Sequence, residues 1–244
     1  MPNTTTTNAF LTDKTVLVTG ANRGLGRALV DAALDHGAKR VYAGSRRPFT
    51  HPDGRVVPLA LDVTDAEQIK LAAKTVEELD VLINNAGVAS YAEIGDRAEL
   101  ERMLAVNLYG SYDVSHALRH QLTASRGTLV NVLSTSSVAA VPVLPGYSIS
   151  KAAAYSLTQV LRAVLAPKGV RVHAVLAGPL DTEMSKDLDI PKTAPEAVAA
   201  QIMAAVADGV EDIFPDAGAA TLAAGWFDAP VTAMQRELAG MIAA

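Results

Sequence analysis

Short β-rich runs alternate with longer helical patterns along this chain, and the alternation constrains the fold more than any other feature. The first buried run is Thr15–Thr19, and a helical pattern at residues 25–36 follows a glycine-rich turn. Further strands are predicted at residues 40–44, 56–61, 80–83, 128–133, 170–176 and, as a short last one, 213–215. Parallel strands need long crossover connections. The sequence therefore predicts an α/β fold with a doubly wound parallel sheet of about seven strands and helices on both faces.

Helical patterns fill the remaining intervals at residues 65–76, 98–122, 147–166 and 195–207, with Asp65 placed as an N-cap. Half of the 244 residues are hydrophobic and 19% are charged, which is typical of a chain with a globular core. Neither a repeat nor a linker divides the sequence. We therefore predict a single Rossmann-like domain over residues 13–244, preceded by a flexible tail over residues 1–12.

Composition excludes several kinds of chemistry. The chain has no cysteine, so disulfides, thiolate catalysis and zinc–thiolate sites are impossible. The formal net charge of −5 does not favour nucleic acid or an anionic membrane as a partner. His116 and His120 have helical spacing without a third ligand nearby in sequence, so no metal site is expected. Without a signal peptide or a bilayer-spanning run, the protein is expected in the cytoplasm, with no membrane partner.

A glycine-rich loop follows the first predicted strand. Its glycines would let the backbone turn sharply and approach a pyrophosphate, and the next helix offers free N–H groups and a positive dipole end. The spacing differs from the Gly-x-Gly-x-x-Gly fingerprint of many dinucleotide folds. The position of the loop still predicts a dinucleotide site, with candidate residues Gly20, Asn22, Arg23, Gly24, Leu25 and Gly26.

Three motifs occur in one order along the chain. The Thr-Gly-x-x-x-Gly-x-Gly run at residues 19–26 is followed by Asn-Asn-Ala-Gly at residues 84–87 and by Tyr-x-x-x-Lys at residues 147–151. This ordered set, spanning about residues 15–182, resembles the short-chain dehydrogenase/reductase family. The resemblance implies an oxidoreductase, of the NADP-preferring carbonyl reductase or alcohol dehydrogenase type, that interconverts a ketone or aldehyde and an alcohol.

The resemblance assigns the catalytic set to Asn107, Ser134, Tyr147 and Lys151. Carbonyl reduction needs a hydride from nicotinamide and a proton from the protein. Tyr147 is the expected proton donor, while Lys151, one helical turn later, is expected to lower its pKa and to bind the nicotinamide ribose. Ser134 is expected to polarise the carbonyl. Asn107 resembles the family residue that holds a water behind the lysine.

Other cofactor contacts also come from the resemblance. Asp62 and Val63 would bind the adenine, and residues 85–87 would form the floor beneath the adenosine ribose. The nicotinamide side would be contacted after the sixth strand. The residues concerned are Asp62, Val63, Asn85, Ala86, Gly87, Gly178, Leu180 and Thr182. Two departures from the family pattern are Leu133 in the run before Ser134 and Ala177 in place of a proline before Gly178.

The end of the second strand predicts NADPH rather than NADH. NAD-selective folds carry an acidic residue there to bind the ribose 2′-OH, whereas this chain has Ser45. A carboxylate would repel a 2′-phosphate, whereas Ser45 could hydrogen-bond it and Arg46 could pair with it. Arg23 could approach the same phosphate from the glycine loop. Alternatively, Arg46 and Arg47 are ordinary surface residues.

The candidate walls of the substrate pocket are largely apolar, at residues 89–94, 138–144 and 184–191. They favour a small, apolar carbonyl or alcohol substrate. Residues 183–195, with Pro191 and Pro195 as breakers, lie at the position of the family's substrate lid, so the resemblance implies a mobile lid there. Apolar side chains on the helices at 98–122 and 147–166 suggest a partner surface, and the family resemblance implies a homodimer or homotetramer built on these helices.

Two other function classes remain open at this point. The first is a non-catalytic protein that senses a dinucleotide, against which the complete Asn107, Ser134, Tyr147 and Lys151 set argues. The second is a lyase, dehalogenase or epimerase on the same fold. Dehalogenating relatives lose the glycine loop and the lysine, and this chain keeps both.

Overall fold

Seven parallel strands form one sheet in the order β3-β2-β1-β4-β5-β6-β7. The computed structural model describes residues 9–47, 49–229, 231–232 and 234. The strands are β1 (Thr15–Thr19), β2 (Arg40–Ser45), β3 (Val56–Ala60), β4 (Val81–Asn84), β5 (Thr128–Val132), β6 (Arg171–Val175) and β7 (Asp212–Ile213). The strand order reverses between β1 and β4, which creates a crevice at the carboxyl edge of the sheet where ligands bind in such folds. The predicted α/β, doubly wound sheet is confirmed.

Helices cover both faces of the sheet. They are α1 (Gly24–Asp35), α2 (Ala66–Thr75), α3 (Arg97–Leu104), α4 (Ser111–Ala117), α5 (Arg119–Ser125), α6 (Pro145–Leu165), α7 (Pro195–Ala207) and α8 (Ala220–Ala223). One buried cluster joins α1 and α7 to one face, and a second joins α2, α4 and the end of α6 to the other. The central strands are buried on both faces, as expected of a parallel sheet between two helical layers, whereas Pro58 and Ala60 of the edge strand β3 are exposed.

Most predicted elements match the structure within a few residues. Asp65 is the N-cap of α2, where its carboxylate accepts from the N–H groups of Glu67 and Gln68. The last strand is Asp212–Ile213 rather than residues 213–215. No helix in the described part of the chain is long and apolar enough to cross a membrane.

The continuous helix predicted at residues 98–122 is wrong. A π-helical turn, Ala105–Gly110, separates α3 from α4, and Leu118, with a φ of −99° and a ψ of 5°, separates α4 from α5. Close packing constrains the wide turn, since a Cβ on Gly110 would lie 2.6 Å from Cγ2 of Val63. In a π-helical turn each backbone hydrogen bond reaches one residue further than in an α-helix. This small change hardly alters the spacing of apolar residues, so their periodicity could not reveal the break.

The flexible tail predicted at residues 1–12 is also corrected. Leu11 is buried, and its N–H donates to the carbonyl of His36 at 3.1 Å. Thr12 forms an isolated antiparallel bridge with Ala38. Residues 9–12 therefore pack against the end of α1, because burial of Leu11 and these backbone bonds fix them. Residues 1–8 of the predicted tail, and residues 235–244 of the predicted domain, lie outside the described residues.

Candidate active site

The glycine loop makes a tight turn at the carboxyl end of β1. Gly20 and Gly24 have positive φ angles of 66° and 52°, which favour glycine. A Cβ on Gly26 would lie 2.1 Å from the carbonyl oxygen of Gly20. Arg23, the N-cap of α1, makes no side-chain cap bond. The first turn of α1 therefore presents N–H groups and a positive dipole end, a combination that suits a pyrophosphate.

Thr19 and Asn85 hold this loop against the end of β4. The Thr19 hydroxyl accepts from the N–H groups of Asn85 and Ala86, each at 3.0 Å. The Asn85 side chain donates to the carbonyl of Thr19 at 2.9 Å and to that of Gly20 at 3.3 Å. Asn85 thus shapes the loop from below. Thr19 was not predicted as a site residue. Its position at the end of a buried strand, directly before Gly20, was the feature of the sequence that could have indicated this role.

Ser134, Tyr147 and Lys151 meet beyond the end of β5. The side chains of Ser134 and Tyr147 are hydrogen bonded. Lys151 lies one turn after Tyr147 on α6, and its Nζ is 5.8 Å from the centroid of the Tyr147 ring. Lys151 is buried, with 5% of its surface exposed, and its ammonium donates to the carbonyl of Val132 at 2.8 Å. The structure therefore brings three of the four predicted catalytic residues into direct proximity.

Burial controls the protonation of Lys151 and Tyr147. Burial lowers the pKa of Lys151 from 10.5 to about 8. Burial also raises the pKa of Tyr147, while the hydrogen bond from Ser134 lowers it. Desolvation of the phenolate therefore outweighs the favourable contact with Ser134 in this arrangement, and the expected lowering of the Tyr147 pKa by Lys151 stays a prediction.

Asn107 lies within the π-helical turn and is 1% exposed. Its Oδ1 accepts from the N–H of Val88, and its Nδ2 donates to the Val88 carbonyl, each at 2.9 Å. Nδ2 also donates to Oγ of Ser150 at 2.9 Å, and that hydroxyl donates to the carbonyl of Tyr147 at 2.7 Å. Asn107 therefore joins the segment after β4 to the first turns of α6. Its predicted water-holding role stays a prediction.

Gly87 separates Asn107 from Lys151. A Cβ at this position would lie 3.3 Å from Oδ1 of Asn107 and 3.6 Å from Nζ of Lys151. Glycine keeps the backbone close to both groups without crowding the ammonium. The predicted floor residue is therefore next to the predicted catalytic residues.

The segment after β6 lies against the glycine loop. A Cβ on Gly24 would come within 3.3 Å of Cγ2 of Thr182, so the two predicted cofactor residues are neighbours. Leu180 bridges to Thr193, which closes the chain between them into a loop. The predicted lid begins there with a short 3₁₀ turn, Glu183–Ser185, in which Oγ of Ser185 donates to the carbonyl of Leu180.

Asp216 fixes the start of the same segment, and the sequence reasoning missed it. Its carboxylate accepts from the N–H of Gly178 at 2.8 Å, and a Cβ on Gly178 would lie 2.6 Å from Oδ1 of Asp216. Asp216 is 9% exposed. The only feature of the sequence that could have pointed to Asp216 was its position shortly after a predicted strand.

The predicted adenine side lies at the ends of β2 and β3. Ser45 is buried, and its hydroxyl donates to the carbonyl of Arg47 at 2.6 Å, whereas Arg46 is exposed. Oδ1 of Asp62 accepts from the N–H and the hydroxyl of Thr64 at 3.0 and 2.8 Å.

The other predicted cofactor residues differ in exposure: Asn22 and Arg23 are exposed, whereas Leu25 and Val63 are buried. Burial of the Leu25 side chain leaves chiefly its main chain for a cofactor to contact.

Known sequences similar to this chain agree with the order of its motifs. A profile of the short chain dehydrogenase family matches residues 14–192. An uncharacterized oxidoreductase of Staphylococcus saprophyticus is 34% identical over 195 residues, which is 73% of this chain and 83% of that protein. An uncharacterized oxidoreductase of Staphylococcus aureus is 36% identical over 190 residues, with coverage of 72% and 81%.

Solved structures show the same similarity. A short chain dehydrogenase from Burkholderia cenocepacia, in complex with NADP, is 36% identical and has a TM-score of 0.85, covering 93% of this chain and 98% of that one. A short-chain dehydrogenase from Streptomyces avermitilis is 27% identical with a TM-score of 0.79, covering 93% and 96%. The family match, the curated relatives and the sheet agree, and this chain therefore belongs to the short-chain dehydrogenase/reductase family of oxidoreductases.

Proposed function

We propose that this protein is an NADPH-dependent carbonyl reductase, working reversibly as an alcohol dehydrogenase. The observation that carries the proposal is the hydrogen-bonded Ser134–Tyr147 pair, with the buried Lys151 ammonium one turn away. These groups lie in the crevice that the glycine loop also borders. A sensing protein without turnover would not need a proton donor in this position.

The side chains divide the work of carbonyl reduction between them. A bound nicotinamide would supply the hydride. Tyr147 would donate its proton to the carbonyl oxygen, since a raised pKa keeps the phenol protonated at neutral pH. The Ser134 hydroxyl would hydrogen-bond the same oxygen and stabilise its developing charge. Lys151 would bind the nicotinamide ribose and hold positive charge beside Tyr147.

The residues present fit a dinucleotide with a 2′-phosphate. The turn leaves no room for a Cβ at Gly20 or Gly26, and it leads into the first turn of α1, whose N–H groups have no side-chain cap from Arg23. Arg23 and Arg46 are exposed at the two sides of this region, and no carboxylate ends β2. The Burkholderia relative was crystallised with NADP. We therefore assign Arg46 and Arg23 to binding of the 2′-phosphate, and Ser45 to sparing it the repulsion of a carboxylate, since the Ser45 hydroxyl already donates to the carbonyl of Arg47.

Apolar side chains support a small, hydrophobic carbonyl or alcohol as the substrate. Tyr91, Ile94, Val143 and Met184 are exposed, on the three segments that we predict to wall the pocket. Such side chains gain free energy by covering an apolar substrate and offer few partners to a sugar phosphate. The predicted lid would cover the substrate from the side of Met184.

We also propose a homodimer or homotetramer. Exposed apolar or aromatic side chains occur on α4, on the π-helical turn before it and on α6: Tyr109, Tyr112, Ile149, Val160 and Val164. A patch of this kind is typical of a protein interface. Light scattering at micromolar concentration is expected to show an assembly, and a monomer alone would contradict this proposal.

An activity screen with both cofactors tests the function. We expect NADPH oxidation with apolar ketones or aldehydes, and a higher kcat/KM with NADPH than with NADH, by about a hundredfold. Ser45→Asp combined with Arg46→Ala should reverse or abolish this preference. Binding of NADPH without turnover across the panel would instead favour a sensing protein. A wild-type preference for NADH would overturn the assignment of Ser45 and Arg46.

A further inference from the structure

Two hydrogen bonds fix a buried histidine between α1 and the chain that follows β2. The side chain of His51 is 4% exposed, and its Nε2 lies 2.8 Å from Oδ1 of Asp31 on α1. Its Nδ1 accepts from the N–H of Asp53 at 3.0 Å. Since Nδ1 accepts, the ring hydrogen belongs on Nε2, and His51 donates to Asp31.

Neighbouring contacts attach the same segment to the same helix. The Arg27 guanidinium lies 5.7 Å from the centroid of the Phe49 ring and also contacts Asp31 at 3.3 Å. Arg55 pairs with Asp53 and donates to the carbonyl of Leu34 in the last turn of α1, at 3.3 Å, and to that of Ala38 just beyond the helix, at 3.2 Å. Residues 49–55 are therefore held along the length of α1.

This attachment has a consequence for Arg46 and Arg47. Both are exposed and lie between two fixed points, the buried Ser45 at the end of β2 and the His51–Asp31 bond. Arg23 is the N-cap of the helix that carries Asp31. One rigid helix thus sets the relative position of the two arginines that flank the proposed 2′-phosphate site.

We propose that Asp31 and His51 are positioning residues for cofactor selectivity: their hydrogen bond holds Arg46 ready to bind the 2′-phosphate. This inference rests on the NADPH preference proposed above and adds two residues that touch neither cofactor nor substrate. The physical reason is preorganisation, because a loop that is ordered before binding loses less conformational entropy when its arginine closes on the phosphate.

Calorimetric titration with adenosine 2′,5′-bisphosphate and adenosine 5′-monophosphate separates this role from a structural one. We expect Asp31→Ala to weaken bisphosphate binding about three- to tenfold and to change monophosphate binding less than about twofold. His51→Phe should give a selective loss of the same kind, and the double variant should lose less than the sum of the two single changes, because both remove the His51–Asp31 bond. In turnover, the KM for NADPH should rise while kcat and the KM for NADH stay unchanged.

Asp35→Ala is the matched control. It removes the same charge from the same helix one turn later and leaves the His51–Asp31 bond in place, so it measures the effect of the lost charge, which is expected to strengthen rather than weaken bisphosphate binding. Asp31 is half exposed, so its variant is expected to fold even where His51→Phe does not, and thermal unfolding verifies this.

Three results would overturn the inference. Equal weakening of both nucleotides by Asp31→Ala would show a purely structural role. A wild-type preference for the bisphosphate that survives in Asp31→Ala would refute the positioning role and leave the proposed function intact. A wild-type protein that binds both nucleotides equally would refute the proposed cofactor preference and this inference with it.

Discussion

The ammonium of Lys151 donates a hydrogen bond of 2.8 Å to the carbonyl oxygen of Val132, the last residue of β5. This bond ties α6 to the carboxyl edge of the sheet, where the active-site crevice opens. It also places a charge in a buried position, since Lys151 is 5% exposed. The same contact that orients the lysine therefore requires the ammonium to lose most of its hydration.

The first prediction concerns stability and pH. Burial lowers the folded-state pKa of Lys151 to about 8 from an ordinary 10.5, so between these values the unfolded chain binds a proton that the folded chain does not. Stability attributable to Lys151 should therefore rise as pH increases from 8 to 10.5. Relative to Lys151→Met, the free energy of unfolding of the wild type should gain about 1–3 kcal/mol over this window. Denaturant unfolding at several pH values measures the difference, and a pH-independent difference would contradict the burial argument.

The second prediction concerns proton donation. Tyr147→Phe keeps the ring and removes the hydroxyl, so kcat should fall by about 10²–10⁴-fold while NADPH binding stays within about twofold. Tyr155→Phe is the matched control on α6, because its hydroxyl bonds to Asp212 at 3.3 Å, outside the proposed proton-donating group. That variant should keep its kcat. Near-normal turnover by Tyr147→Phe would remove Tyr147 from the mechanism.

The third prediction concerns the glycine loop. A Cβ on Gly26 would lie 2.1 Å from the carbonyl oxygen of Gly20 and 2.6 Å from Nδ2 of Asn85, and neither can move without disturbing the loop. Gly26→Ala should cost about 1–3 kcal/mol of stability and abolish measurable cofactor binding. Gly54→Ala has nothing within 4 Å of the added atom and should change stability by less than about 0.5 kcal/mol. Equal behaviour of the two variants would show that the loop tolerates a side chain.

The fourth prediction concerns the lid. Residues 183–195 combine a short 3₁₀ turn with an exposed Met184 and a single bridge between Leu180 and Thr193. Few buried contacts hold this segment, so it should exchange amide hydrogens quickly in the free protein and slowly with NADPH bound. Hydrogen exchange read by mass spectrometry checks this, with β5 as the internal reference. Protection that is unchanged by NADPH would refute the proposed closure.

The sequence by itself determined the architecture and the order of the motifs. Alternating periods of about two and 3.6 residues distinguish strands from helices because each period reflects local backbone geometry. Local signals also located the glycine turn, the Asp65 cap and the one-turn spacing of Tyr147 and Lys151. Each of these depends on residues within a few positions of one another, so a linear pattern encodes it.

Only the tertiary structure decided which distant segments of the chain contact one another. The bonds between Asn107 and Val88, Thr19 and Asn85, and Gly178 and Asp216 join residues that are far apart in the chain. Burial raises the pKa of Tyr147, and packing against Val63 accompanies a π-helical turn inside a helix that apolar periodicity predicts to be continuous. The physical reason is that desolvation and close packing depend on every atom around a side chain. The residues next to it in the sequence do not specify those atoms.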